Sequence, residues 1–562
     1  MATNRLARTA LIGIGLAVSL VAVSCGSTAT TSQSSGSSSA TAEATDVTIA
    51  ASGAPKIGGT LTYALDAESD GWDPTKNRWA SAGTEVGLAI FDPLAAYDVN
   101  VKAQPYLAES FTPNPEFTQW TITLRSGVTF HDGTPLTADV LKTIFAAHQA
   151  SALTSPAIAN LDHVEVTGPL TAVFYMKQPW AAFPSSLTGQ LGMVPSPTML
   201  ASPDGSRHPV GTGPFKMDSW TPDSSLVTSK NPSYWRTDDA GVRLPYLAGV
   251  TFTVITEAPS KVNAVLAGDA DMAATSTPSA VIKADAEAKA SRLQLVENRG
   301  ETEEAFTMLN AEVAPFDELV ARQAVAYATN TDEYIAAVDQ GATQKVTGVF
   351  REGTPYYADS PYPAFDLEHA KALVQQYETE TGKPLAFTLM EDATTAGALQ
   401  GQFLKAQWEA AGMKVTISQM DQSTLIINAV TGKYQATAWG QFGSPDPDYD
   451  YVWWTSANAA PVGALGLNIA RNKDPLVDQA LNSARGSNDD SVRKAAYATV
   501  ATRLNIDLPY IWLARGHYVV IAANAVRGIL QGPLPSGEES YPIGGPGGFG
   551  VVTRLTQTWL DR

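Results

Sequence analysis

The single cysteine of the 562-residue chain, Cys25, stands at the end of a short apolar segment. Arg5 and Arg8 precede an uncharged run, "ALIGIGLAVSLVAV", that ends at Val23. A basic start, a short apolar stretch and small residues before a cleavage point are typical of a secretory signal and too short for a membrane span. We therefore predict a signal peptide over residues 1–24. The "AVSC" ending indicates a bacterial lipobox, in which Cys25 becomes the acylated first residue of the mature protein.

The absence of any later cysteine limits how the exported part can be stabilised, because no disulfide can form. A hydrophobic core must hold the fold together, and roughly 500 residues suffice for two or more domains. Residues 25–57 are rich in Ser, Thr, Ala and Gly, so we expect the lipidated cysteine to be followed by a flexible linker. The chain is then an exported protein anchored by lipid to the outer face of the cytoplasmic membrane.

Charge and motifs exclude several classes of function. Without Arg5 and Arg8 the chain has 56 acidic and 35 basic residues, a net charge of −21, which argues against a nucleic-acid partner. The six histidines are scattered, and the common hydrolase, zinc-protease and phosphate-loop motifs are absent from the sequence. "GPGGFG" (Gly545–Gly550) lies too near the end for a dinucleotide-binding unit. We predict no enzyme activity, no cofactor and no metal.

Hydrophobic periodicity predicts a mixed α/β body with at least two lobes. "GGTLTYAL" (58–65) reads as the first strand, "QWTITLRSGVTF" (119–130) as a strand pair, and residues 161–177 as a hairpin around Gly168 and Pro169. The segments at 385–390, 396–412 and 413–420 follow in the order strand, helix, strand, which indicates parallel pairing. "LPYIWLARGHYVVIA" (508–522) is apolar enough for a buried strand.

The stretch "FGSPDPDYDYVWW" (442–454) combines alternating carboxylates with aromatic residues. A calcium loop starting at Asp446 would need Gly at its sixth place and Glu at its twelfth, where Tyr451 and Ala457 stand. A catalytic carboxylate pair would need one acid kept neutral, and the sequence gives no environment for that. Asp446 could instead cap a turn before a helix, and the aromatic rings could fill a core or line a cleft.

Five segments of the chain together resemble the extracellular solute-binding proteins of family 5, the dipeptide- and oligopeptide-type receptors of ABC importers. They run in order from about Gly58 to Trp512; the second is similar to the family's most recognisable block, and the third matches another block almost residue for residue. The segments are "GGTLTYALDAESDGWDPTKN", "LAESFTPNPEFTQWTITLRSGVTFHDGTPLTADVLKTIF", "PVGTGPFKMDSWTPDSSLVTSKNPSYW", "LVARQAVAYATNTDEYI" and "WGQFGSPDPDYDYVW".

The resemblance implies an α/β fold of the type II periplasmic-binding-protein kind, with two lobes and an additional inserted domain. The expected divisions are lobe I at 58–95, 206–308 and 513–562, inserted domain II at 96–205, and lobe II (domain III) at 309–512. It also implies a monomer that encloses a peptide or another small solute between its lobes and delivers it to an ABC permease by hinge closure.

The resemblance further implies a ligand-binding segment, and this chain departs from the family there. Trp439 matches the tryptophan of the family's W-x-x-D motif, but Phe442 occupies the place of the aspartate that pairs with a bound peptide's amine. Either Asp446 serves that amine, or the ligand has no free amine at this point. Gly440 and Gln441 between them are also expected to contact the ligand.

Weaker expectations concern Asn310, Trp79 and Ser81, which match family positions facing the cleft. Asn310 could hydrogen-bond a ligand or be a buried turn amide. The close alternative to a peptide is an oligosaccharide or another small solute on the same scaffold. A metal chelate comes third, and a hydrolase using Asp446 and Asp448 is the alternative from another class.

Overall fold

The computed structural model of the protein describes residues 47–49, 53–77, 79–298, 304–441, 444, 446–543 and 552–562. Cys25, the predicted signal peptide and Phe442 lie outside the described residues. The strands are β1 (Val47–Thr48), β2 (Thr60–Leu65), β3 (Ala95–Tyr97), β4 (Ala103–Pro105), β5 (Ala108–Pro113), β6 (Gln119–Leu124), β7 (Leu161–Gly168), β8 (Thr171–Met176), β9 (Phe215–Thr221), β10 (Ser225–Lys230), β11 (Gly249–Val254), β12 (Met272–Thr275), β13 (Gln294–Asn298), β14 (Glu304–Leu309), β15 (Gln344–Lys345), β16 (Ala386–Asp392), β17 (Lys414–Met420), β18 (Ala436–Gln441), β19 (Tyr510–Arg515), β20 (Tyr518–Ala522), β21 (Val526–Arg527) and β22 (Trp559–Leu560).

The α-helices are α1 (Ser81–Ile90), α2 (Ala138–Ala150), α3 (Phe183–Ser186), α4 (Pro197–Ala201), α5 (Ala258–Ala267), α6 (Pro278–Lys289), α7 (Leu319–Ala328), α8 (Thr331–Ala337), α9 (Leu367–Thr381), α10 (Thr395–Ala410), α11 (Gln422–Val430), α12 (Tyr451–Trp454), α13 (Pro475–Arg485) and α14 (Asp490–Asp507).

An eight-stranded sheet has the order β1-β13-β20-β12-β2-β11-β10-β9. Its central strand β2 pairs in parallel with β11 and β12. Leu61 and Tyr63 point into one core, and Ala64 points into a second core on the other side. Both faces of the sheet are therefore covered, which explains why β2 has apolar residues on both of its faces rather than a strict alternation of apolar and polar residues. Strand β1 lies within the predicted linker and pairs with β13.

A four-stranded antiparallel sheet, β5-β6-β8-β7, forms a separate layer with helix α2. The hairpin predicted around Gly168 and Pro169 is confirmed, because β7 and β8 pair on either side of it. The strand pair predicted over residues 119–130 is wrong in its second half. Only β6 forms, and after Gly127, which has a positive φ of 75°, the chain makes a single bridge at Thr129 rather than a returning strand.

A six-stranded sheet has the order β15-β19-β14-β18-β16-β17. The predicted strand–helix–strand unit is confirmed, because β16 and β17 are parallel neighbours joined by α10. Helix α9 ends at Gly382, whose φ of 69° is the left-handed conformation expected of a C′ glycine. Helices α13 and α14 cover the face that carries the aromatic side chains of Phe306 and Trp512.

In the order of the described strands, the chain leaves the eight-stranded sheet after β13 to enter the six-stranded sheet at β14, and it returns between β19 and β20. The apolar segment 508–522, predicted as buried strand, is two buried strands in different sheets, separated by Gly516 and His517. The six-stranded sheet begins at Glu304 and ends at Arg515, whereas the predicted limits of lobe II are 309 and 512. Apolarity alone does not reveal such a crossing, because both strands are buried.

Candidate functional site

The Asp446–Asp450 turn follows β18 and begins with a capped helical turn. Asp446 is the N-cap of a 3-10 helix over Pro447–Asp450, and its Oδ1 accepts a hydrogen bond from the Asp448 backbone N–H at 3.0 Å. Aspartate at the cap and proline just after it are favoured at helix starts. Helix α12 continues directly from this turn. The capping role that the sequence left open for Asp446 is therefore present.

The Asp446 carboxylate is also bound by two side chains distant in sequence. Arg493 Nη2, on α14, lies 2.5 Å from Asp446 Oδ1, and Ser185 Oγ, on α3, donates to Oδ2 at 3.1 Å. The Arg493 Nε donates to the Tyr356 hydroxyl at 3.1 Å. Burial is the strongest single influence and acts to lower the pKa of Arg493, but the neighbouring acidic groups, Asp446 foremost, together hold the pKa above its ordinary value. The pair is therefore charged and almost enclosed.

Asp448 makes a second ion pair beside the first. Arg485, the last residue of α13, donates through Nε to Oδ1 at 2.8 Å and through Nη2 to Oδ2 at 3.1 Å. Trp180 Nε1 donates to the same Oδ2 at 2.7 Å. The guanidinium carbon lies 3.5 Å from the Tyr451 ring centroid and 4.5 Å from that of Trp180. A two-pronged arginine–carboxylate pair enclosed by aromatic rings is a strong, directional contact.

The turn joins two parts of the molecule. Trp180 and Ser185 belong to the region predicted as the inserted domain, whereas Arg485 and Arg493 lie on the helices that cover the six-stranded sheet. The Ala181 backbone N–H donates to the Arg485 carbonyl at 2.8 Å, which adds a main-chain contact between the same two parts. We refer to Trp180, Ser185, Asp446, Asp448, Arg485 and Arg493 as the DPD cluster.

This arrangement does not suit acid–base catalysis by the two aspartates. Each carboxylate is bound by an arginine, which stabilises its ionised form. Glycoside hydrolysis would need one of the two to be a neutral acid. The geometry therefore supports a structural contact between two parts of the fold rather than the hydrolase alternative.

The predicted ligand contacts on β18 lie beside both chain crossings. Trp439 pairs with Phe306 and Gly440 with Ala305, and both Trp439 and Gly440 are half-buried. The backbone of Gln441 pairs with Glu304, which on its other side is opposite Arg515, the end of β19. The end of β18 therefore lies where the chain enters and leaves the six-stranded sheet.

The other predicted contacts lie elsewhere. Asn310 follows the far end of β14 and is fully buried. Its side-chain N–H groups donate to the carbonyls of Gly432 and Tyr434 at 3.0 and 3.1 Å, and its Oδ1 accepts from the Glu312 N–H at 3.2 Å. These bonds match the buried turn amide that the sequence left as the alternative.

Trp79 and Ser81 lie at the start of α1. Trp79 is 8% exposed, donates through Nε1 to the Gly71 carbonyl at 2.9 Å and stacks on Phe91 with 6.1 Å between ring centroids. The indole of Trp79 packs directly against the backbone of Gly83 and Gly87, where a side chain would be too close to the ring. Ser81 is half-buried as the first residue of the helix. The structure thus places Trp79 in the core of the eight-stranded sheet and does not bring it to the DPD cluster.

Sequence reasoning missed most of the DPD cluster. Trp180, Ser185, Arg485 and Arg493 stand in unremarkable helical or loop segments, between 37 and 268 residues from the aspartates that they bind. The repeated aspartates were the one available signal, because two buried carboxylates need counter-charges. Nothing in the spacing identifies which arginines supply them.

Comparison with known proteins defines the class. The chain matches the family described as bacterial extracellular solute-binding proteins, family 5 Middle, over residues 102–461. It is 28% identical over 444 residues to the glutathione-binding protein GsiB of Salmonella paratyphi A, covering 76% of this chain and 83% of that protein. Agropinic-acid-bound AgaA of A. tumefaciens R10 superposes with a TM-score of 0.78 at 22% identity, covering 90% of this chain and 99% of that one. Peptide-bound DppA of Helicobacter pylori gives 0.76 at 22% identity, covering 90% and 99%.

The fold is thus that of the two-lobed type II periplasmic binding proteins. The chain belongs to the bacterial extracellular solute-binding proteins of family 5, which are receptors of ABC transporters rather than enzymes. Among the described helices, none combines the length and the apolarity that crossing a membrane requires.

Proposed function

We propose that this protein is the lipid-anchored receptor of an ABC importer and that it captures a peptide or a peptide-like solute between its lobes. The observation that carries the proposal is the family match over residues 102–461, on a body whose two large sheets are joined by two chain crossings. Two short crossings are a suitable hinge, and periplasmic binding proteins enclose their ligands by closing about a hinge of this kind.

The end of β18 is the proposed ligand-contact region. Trp439 offers a large, partly exposed ring, and Gly440 leaves the neighbouring backbone open to approach. Both lie next to Glu304 and Arg515, whose side chains form a buried ion pair at 2.8 Å where the chain crosses. A ligand held here would touch the part of the lobe that is nearest to the hinge.

A peptide-type solute is supported by the relatives. Glutathione, named for the Salmonella relative, is itself a peptide, and DppA of Helicobacter pylori was solved with the peptide STSA. An extended peptide offers backbone donors and acceptors at regular intervals, so a receptor can bind it through the main chain while leaving room for different side chains.

One observation favours the second candidate, an oligosaccharide or another small solute without a free amine. Asp446, the first carboxylate after the family's amine-binding place in the sequence, is bound by Arg493 and Ser185. Recruiting it to a ligand's ammonium would require part of the DPD cluster to rearrange. A solute recognised by the Trp439 ring and by hydrogen bonds would need no such change.

Calorimetric titration separates the two candidates. Purified protein is titrated with a pool of short peptides that includes glutathione, and separately with a pool of oligosaccharides. The proposal predicts heat of binding from the peptide pool, lost in Trp439→Ala and retained in Phe365→Ala, which removes an exposed ring from the same lobe. Binding of the oligosaccharide pool alone would replace the peptide proposal with the second candidate.

The lipid anchor is tested by cell fractionation. Wild-type protein is expected to pellet with membranes and to incorporate labelled palmitate, whereas Cys25→Ala should be released in soluble form, because the acyl chains provide the attachment. If Cys25→Ala still pellets with membranes without incorporating label, the anchor proposal is wrong.

A further inference from the structure

A small cavity lies between the start of the inserted region and the C-terminal part of the chain. It measures about 10 Å³, which is room for roughly one solvent-sized particle. The groups that line it include two guanidiniums, a phenol ring, two side-chain amides and a hydroxyl, namely those of Arg236, Arg554, Tyr106, Gln531, Gln557 and Thr556. These are mostly hydrogen-bond donors.

The two arginines have neutral partners. Arg236 is 9% exposed and donates to the Tyr106 hydroxyl and to the Pro533 carbonyl, both at 2.8 Å. The Arg554 guanidinium carbon lies 5.0 Å from the Tyr106 ring centroid, and its Nε is buried without a hydrogen-bond partner. Within the described ranges, neither arginine has a carboxylate oxygen within 4.0 Å.

One acid, Asp92, acts on both arginines and can offset only one of their two positive charges. Asp92 is surrounded by neutral donors: it accepts from Tyr234 at 2.9 Å, from Trp235 at 2.8 Å and from Thr212 at 2.9 Å. Burial raises the pKa of Asp92 to about 6 despite these donors, so the group is still mostly ionised at neutral pH. A third arginine, Arg125, donates through Nε to the Tyr106 carbonyl at 2.7 Å, and the charge of Glu109 opposes its own.

Two enclosed guanidiniums against the one carboxylate of Asp92 leave an excess of positive charge, which is unfavourable. We propose that this cavity binds one monatomic anion of about the size of chloride, held between the guanidiniums of Arg236 and Arg554. The ion would balance the excess of positive charge and tie Tyr106 to the C-terminal segment. This site is independent of the solute proposed to bind between the lobes.

Thermal unfolding at constant ionic strength tests the proposal. The full chain is measured in sodium gluconate that is replaced stepwise by sodium chloride or bromide. We expect Tm to rise by a few degrees and then to saturate, because the ion binds only the folded protein. Arg554→Gln should lose this dependence. Arg292→Gln, which removes an exposed arginine that does not line the cavity, should keep it.

Two results in this assay would overturn the proposal. One is an equal Tm for wild-type protein in chloride and gluconate. The other is an unchanged chloride effect in folded Arg554→Gln.

A bromide-soaked crystal of the wild-type protein gives a test that does not depend on the variant folding. We expect an anomalous peak within hydrogen-bonding distance of both guanidiniums. A cavity that contains only water in bromide would show that the proposal is wrong.

Discussion

The protein contains two groups of buried arginines that differ in how their charge is balanced. In the DPD cluster, Arg485 and Arg493 each have an aspartate partner. Around Tyr106, Arg236 has hydrogen bonds and both Arg236 and Arg554 have an aromatic contact, but neither has a carboxylate within ion-pair distance among the described residues.

The comparison shows that burial of a charge does not by itself reveal its role. The balanced cluster uses its charges to hold two parts of the protein together, so its aspartates are committed within the protein. The unbalanced one has charge left over for something else, which we infer to be an anion. Removing a partner should therefore be costly in the first cluster, whereas adding an ion should be beneficial in the second.

The largest expected effect is that of Asp448→Ala. It leaves the Arg485 guanidinium buried without its partner and removes the acceptor of Trp180, so we expect a loss of about 3–5 kcal/mol in the free energy of unfolding. Urea unfolding measures it. Asp448→Asn, which keeps an acceptor for Trp180, should lose less. Equal stability of Asp448→Ala and wild type would remove the distinction between the two clusters.

Asp446→Ala should also destabilise the protein, by about 2–4 kcal/mol, because the Arg493 guanidinium is left buried without its partner. The loss should be smaller than for Asp448→Ala, because Asp446 is more exposed to solvent than Asp448. The double variant Asp446→Leu/Arg493→Met removes both charges and should recover much of that loss. Because the double variant should fold without the Asp446 carboxylate, it allows the role of that carboxylate in ligand binding to be measured apart from its role in stability.

If Asp446 anchors a ligand's amine, the folded double variant should lose about 3–5 kcal/mol of affinity for the peptide pool. We expect unchanged affinity, measured by calorimetry, because the carboxylate is used by Arg493 and Ser185.

A buried carboxyl with no ion-pair partner among the described residues provides a third case. Glu391 on β16 is 1% exposed, and its Oε1 has no hydrogen-bond partner in the described part of the chain. Burial, and then the nearby Asp392, raise the pKa of Glu391 to about 9 from an ordinary value of 4.5. The folded state thus holds a proton that the unfolded state releases between these two values, so stability falls as pH rises through this window.

Glu391→Gln should remove that fall, which amounts to about 3 kcal/mol between pH 5 and pH 7. Urea unfolding of both proteins at pH 5, 7 and 8.5 measures it. The free energy of unfolding of the variant should increase relative to that of the wild type as pH rises. Parallel pH profiles would show that Glu391 is ionised in the folded protein.

The smallest effect is expected for a surface pair. Asp332 and Lys345 lie 2.7 Å apart, but both side chains are exposed to solvent. Asp332→Asn should cost no more than about 1 kcal/mol and should lose even that in high salt. If Asp332→Asn cost as much stability as Asp448→Ala, burial could not be the reason why the ion pairs of the DPD cluster contribute more than a surface pair.

Local features of the fold could be predicted from the sequence. The break between α7 and α8 at Asn330, whose side chain accepts from the Glu333 N–H at 3.2 Å, and the end of α9 at Gly382 follow from cap chemistry. The hairpin around Gly168 and Pro169 follows from its turn residues. These signals lie within a few residues of the structure they specify.

Features that depend on distant partners could not be predicted in the same way. Segment 508–522 reads as one apolar run, and only pairing with β14 and β13 divides it between two sheets. The sequence allows a capping role for Asp446, but it does not point to Arg493 and Ser185, because tertiary packing brings them to it. The ligand contacts proposed on β18 likewise rest on the family resemblance and on the register beside Glu304.

The most direct test of the central claim, that two lobes close around a solute, is small-angle X-ray scattering of the purified protein with and without the peptide pool. The account predicts that the radius of gyration decreases when the peptides are added and that Trp439→Ala shows no such decrease. Identical scattering profiles for wild-type protein alone, with the peptide pool and with the oligosaccharide pool would contradict it.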